Sequence, residues 1–229
     1  MIKLKELQVE NLGTVVYCDN HAFDTAVQSV MTESHELLSM RDMAYVRIFE
    51  AKNSVDWKYG GWENSIIGTF CSNIKEGSLF VPRSKDKIIL LRDSLVLKNP
   101  SGALNAHRID KSYFPKGLRI EEYLENLDKK DYFVLSNISK IATNRFNVEE
   151  SMIWMFQDLA GEYGLLLQDT GVYNVNFWLN HYDTARIDYE SKPFANQIQI
   201  HGLGDLPPLY IIVDGDLNDR SRVCGLRRA

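Results

Sequence analysis

The 229-residue sequence predicts an α+β fold, mostly antiparallel sheet or sheets with about three main helices packed on one side. Three observations lead there. Segments with helical apolar spacing and segments with period-two alternation are interspersed, without the regular rhythm that parallel βαβ units require. The alternation is cleanest in three successive runs between Val172 and Asp219, whose short connections suit an antiparallel meander. Apolar residues make up 45% of the chain and aromatic residues 11%, enough to fill a sizeable core.

Taken in order, the first strand is predicted at 14–18, after the Asn11-Leu-Gly13 turn signal. Asp19 and Asn20 stand where an N-cap belongs, ahead of a helix over about 21–40 that would bury Phe23, Val27, Val30, Met31 and Leu38. Residues 44–49 read as a strand. Trp57-Lys-Tyr-Gly-Gly-Trp62 reads as a turn whose rings fold back on the core, with a binding loop as the alternative. A hairpin joins 78–82 to 87–91, and 94–97 adds a strand; Pro82 ends the first of these or places it at an edge. His107 and Asp110 belong to a polar loop without a clear period.

A short helix over 118–128 and a strand over 132–135 follow. Asn147-Val-Glu-Glu150 has the form of a capping box, opening a helix to about Tyr163 that Gly164 would end. Residues 165–167 would then begin the terminal sheet. One domain over 1–229 accounts for this pattern. The alternative is an N-terminal α/β subdomain over 1–98 and a C-terminal helix-plus-sheet subdomain over 118–229.

The terminal runs carry the functional expectation. Tyr173, Val175, Phe177 and Leu179 alternate with Asn174, Asn176 and Trp178; Ile187 and Tyr189 with Arg186, Asp188 and Glu190; Ile198 and Ile200 with Gln197, Gln199 and His201. If the three strands are neighbours, the polar halves merge into one surface. Asn and Gln are poor strand formers, so their regular placement is not explained by propensity. Carboxamides offer donors and acceptors together, which suits a polar ligand. A solvated face that bonds to itself is the competing account.

A second reading is enzymatic: a divalent-metal phosphodiesterase, nuclease or transferase centred on Asp214-Gly-Asp216 and Asp219, with Asp188 or Glu190 contributing and Mg²⁺ or Mn²⁺ as cofactor. The Asp-Gly-Asp corner resembles the Asp-x-Asp that positions a metal and a nucleotide-sugar in glycosyltransferases. A plain turn competes with it. No phosphate loop, zinc spacing, nucleophile elbow or dinucleotide fingerprint is present, and the reading favours a binding protein over an enzyme.

Charge narrows the partner. Residues 146–219 carry 12 acids against 2 bases, whereas 1–145 are nearly balanced and the last ten residues hold Arg220, Arg222, Arg227 and Arg228 without an acid. Nucleic acid is disfavoured, and a basic protein surface or a polar small molecule is expected. That arginine tail is read as solvated, or paired with the acids beside it. The longest apolar runs fall far short of the roughly 20 residues a spanning helix needs. The three scattered cysteines and the charged N-terminus point to a reduced, cytoplasmic protein.

Overall fold

The computed structural model describes residues 4–18, 21–34, 36–53, 71–81, 87–93, 99–102, 105, 120–135, 140–178, 197–203, 210–215 and 222–228. Eleven strands are found there: β1 (Lys5–Val9), β2 (Gly13–Cys18), β3 (Glu36–Leu37), β4 (Cys71–Val81), β5 (Lys87–Leu91), β6 (Tyr132–Leu135), β7 (Ile141–Ala142), β8 (Asn174–Trp178), β9 (Gln197–Leu203), β10 (Tyr210–Gly215) and β11 (Arg222–Arg227). The α-helices are α1 (Phe23–Glu33), α2 (Met40–Asn53), α3 (Ile120–Glu125), α4 (Glu150–Phe156) and α5 (Ala160–Asp169). The α+β class and the mostly antiparallel pairing are as expected. No helix among the described residues is long and apolar enough to cross a membrane.

The strands run in the order β1-β2-β11-β4-β9-β10-β8-β7, with β5 and β6 extending from β4 and β3 beside β11. Among the described strand pairs, only β8–β10 and β4–β11 are parallel. Helices α2, α4 and α5 gather on one side, where Met43, Val46, Phe146, Met152, Phe156, Tyr163 and Leu167 pack against Val15, Leu226 and Val175. Helix α1 covers the other side near Gly225, whose missing Cβ leaves room for Val30 and Ser34.

Local signals misplaced several elements. Residues 44–49 are helical, not a strand, because α2 is buried at Met43, Ala44, Val46, Arg47 and Ile48 and so lacks a clean polar face. The helix expected over 21–40 stops at Glu33, and α2 has its own start: Ser39 Oγ accepts from the Asp42 amide at 3.1 Å, while Asp42 Oδ2 accepts from the Ser39 amide at 3.1 Å. That is a capping box with Asp in the usual Glu place. Asn147 through Glu150 do not form the expected one, since α4 begins after Glu149 without a side-chain cap.

The helix expected to run unbroken to Tyr163 is interrupted at Gln157, whose φ of 54° and ψ of −128° lie outside the helical region. It then continues to Asp169. Gly164 sits inside it because an added Cβ would overlap the Thr143 carbonyl oxygen. Gly171 (φ 82°) is the true terminator. The Val172 amide bonds to the Leu167 carbonyl at 2.8 Å and the Gly171 amide to that of Gln168 at 2.9 Å, a Schellman closure with Val172 and Leu167 both buried.

The arginine-bearing tail is no frayed end. It forms β11, held between β2 and β4, and Arg227 and Arg228 pair with Glu6 and Glu36.

Candidate functional site

Strand β8 defines the candidate surface. Val175 is fully buried in the helix-side core, and Asn174 before it is exposed. Tyr173 was expected on the buried side with Val175, but it is 67% exposed. It precedes the strand, where the Schellman closure sets the backbone and period-two alternation has not begun. No periodicity argument would have found this exposed ring; the Gly171 signal two residues earlier could have.

The first and third runs, β8 and β9, are not direct neighbours. β10 lies between β8 and β9 and is parallel to β8. The register aligns Asn176 with Tyr210 and Trp178 with Ile212, and Ile212 in turn with Gly202. Gly202 alternates with His201, so Asn174, Asn176 and Trp178 share a sheet side with Ile198 and Ile200 and not with Gln197, Gln199 and His201. The latter occupy the other phase: Gln199 is in register with Ser78, Ser78 with Leu90, and Leu90 with Phe133. Phe133 packs on Trp154 of α4 at 6.2 Å between ring centroids, on the helix-covered side.

By register, the described residues of the expected polar surface fall in two phases, Asn174, Asn176 and Trp178 in one and Gln197, Gln199 and His201 in the other. Alternation fixes phase within a strand, but relative phase between strands follows from strand order, and a one-residue slip inverts it. Arg186, Asp188 and Glu190 lie outside the described residues. So do Asp216, Asp219, the 57–62 segment, the 94–97 strand, His107 and Asp110. Asp214 is in β10, where the register with β9 shifts between Ile212 and Gly215. Among the described residues no group of three or more His, Cys, Asp or Glu side chains is arranged to hold a metal ion.

A polar framework fixes β4, the next strand after β9. The β4–β9 register shifts between Asn73 and Gly77, and the irregular stretch holds Lys75 and Glu76. Glu76 is buried; its Oε2 accepts from the Met40 amide at 2.7 Å, and its Oε1 faces Arg92 at 3.4 Å. Arg92 donates to the Trp154 carbonyl and lies over the indole ring at 3.8 Å. Burial pushes the Arg92 guanidinium below its usual range, and Glu76 opposes that shift.

Around it, Lys75 bonds to Glu36 at 3.1 Å, and Arg41 grips Asp158 with two bonds at 2.6 and 2.8 Å. Burial works against ionisation of Glu36, but hydrogen bonds from Arg228 and Lys75 outweigh it and lower its pKa. The Arg41 hydrogen bond lowers that of Asp158. Nothing local in the sequence marks this cluster, whose members lie far apart along the chain.

No family model matches the chain, and no curated protein does. One solved chain is similar in structure. It is described by the words "Accommodation of massive sequence variation in Nanoarchaeota by the C-type lectin fold", with 16% identity, a TM-score of 0.60, and coverage of 99% of this chain and 98% of that one. At this identity the likeness shows the fold.

Proposed function

We propose that this chain is a binding protein of C-type lectin-like architecture that holds a polar ligand or a basic protein surface on the sheet side bearing Asn174, Asn176 and Trp178. The observation that carries the reading is the start of β8, buried at Val175 and open at Asn174, with the exposed Tyr173 ring just before the strand. Val175 commits one phase of the strand to the core, and the exposed Asn174 of the opposite phase supports recognition through that side. Gln197, Gln199 and His201 are in the opposite phase by register and are left out of the proposed surface.

The description of the similar chain concerns accommodating sequence variation. For this protein the corresponding proposal is a frame whose stability does not depend on the residues at the open positions. A cytoplasmic location belongs to the same proposal, supported by the three scattered cysteines, whose odd number and spacing suggest no disulfide framework. The rival metal-dependent transferase or phosphodiesterase rests on Asp214, Asp216 and Asp219.

Native mass spectrometry of the purified protein, followed by titration with nucleotides, oligosaccharides and polylysine, tests the proposal. Tyr173→Ala, Asn174→Ala and Trp178→Ala should each weaken whichever probe binds, while melting stays within about 3 °C of the parent. Unchanged binding in all three would sink the assignment. A rise in melting temperature with Mg²⁺ or Mn²⁺ that EDTA reverses and Asp214→Asn abolishes would favour the metal reading.

A further inference from the structure

A second surface lies away from the candidate sheet. Along α5, Ala160, Tyr163, Gly164 and Leu167 form the buried stripe. Glu162, Leu165, Leu166 and Asp169 follow the same helical spacing but line a groove of about 390 Å³ against Ile48, Ala51 and Lys52 of α2. Leu165 is 63% exposed. Leu166 packs partly against the core, whereas Leu165 and the two acids leave the outer half of the stripe open.

The charge of the groove is one-sided. Lys52 is the one Lys or Arg in the described lining, and it is already engaged with Glu162 at 2.6 Å. Asp169 occupies the final residue of α5, whose last turn has no basic side chain. The helix C-terminus carries its own partial negative charge, so a carboxylate there raises the local need for a cation. Leu165 and Asp169 are one helical turn apart, roughly 6 Å along the axis. In sequence, α5 lies within residues 146–219, which carry 12 acids against 2 bases.

From this arrangement we infer that the α2–α5 groove docks a protein segment in which Lys or Arg lies close to an aliphatic side chain. The aliphatic group covers Leu165 and Leu166, and the cation meets Asp169 at the helix end. This surface is independent of the β8 side, and a partner could occupy both.

The test uses the full ¹⁵N-labelled chain and three short synthetic peptides of equal length, built from Leu and Lys, Leu and Glu, or Ser and Lys. The Leu/Lys peptide should shift the amide resonances of Leu165, Asp169 and Thr170, with the other two at least about tenfold weaker. Leu165→Glu and Asp169→Lys should each weaken it by about tenfold or more, at an unchanged circular dichroism spectrum. Both positions are exposed, so neither change should unfold the chain. Equal binding of the Leu/Glu peptide, or full binding to both variants, would overturn the inference. So would concentration-dependent dimerisation that Leu165→Glu abolishes, because the occupant would then be a second copy.

Discussion

The Glu76 carboxylate joins the β4 irregularity to the first amide of α2, accepting from Met40 N at 2.7 Å while its other oxygen faces Arg92 at 3.4 Å. Removing it strands two groups at once, a helix-terminal N–H and a partly buried guanidinium. Glu76→Ala should therefore cost about 3 kcal/mol in urea unfolding. Glu76→Gln keeps an acceptor for Met40 and should cost about half as much. Equal losses in the two variants would show that charge, not the amide bond, dominates.

Gln157 holds a positive φ between α4 and the short 3₁₀ turn Gln157–Leu159. A non-glycine residue there carries strain of about 1–3 kcal/mol, against which glycine's extra freedom in the unfolded chain costs less than 1. Gln157→Gly should raise stability by about 1 kcal/mol, and equilibrium unfolding reads it directly. A loss would mean that the Gln side chain supports the break.

Two glycines of the same segment should respond differently to alanine. At Gly171 an added Cβ meets nothing within 4 Å, so only the φ of 82° resists, and Gly171→Ala should cost about 1 kcal/mol. At Gly164 the Cβ would collide with the Thr143 carbonyl and crowd Phe146, and Gly164→Ala should cost about 2 kcal/mol or more. Thermal melts of the pair should rank Gly164→Ala lower.

Acid should loosen the corner around α2. The carboxyls of Glu36 and Asp158 are both lowered, from ordinary values of 4.5 and 3.8. A depressed folded-state pKa gives stability that is complete above the ordinary value and is lost as pH falls through the folded one. The unfolding midpoint should hold down to pH 4.5 and then decline. Asp158 is 66% exposed, so Asp158→Asn should flatten that decline by only about 0.5 kcal/mol.

How much of this was legible in the sequence depends on whether the signal was local. The 78–91 hairpin and the strand at 132–135 declared themselves by alternation and turn chemistry, and both formed. Helix α2 did not, because burial around Met43, Val46 and Arg47 erased the polar stripe that marks a helix. Leu165, Leu166 and Leu167 read as a strand for a similar reason: a short apolar run has no period of its own. The separation of the described polar residues into two phases was not recoverable at all. It depends on β10 entering between β8 and β9, a pairing of segments distant from one another.

Because β11 separates β2 from β4, residues Cys18 and Val223, roughly 200 positions apart, must meet before the sheet is continuous. A nascent chain that has not yet released residues 222–227 from the ribosome lacks the strand that joins the edges of β2 and β4. Such edges are templates for pairing with other chains, so the protein's most hazardous interval is its own synthesis. Refolding should be slow, and any variant truncated before Arg222 should depend strongly on chaperones.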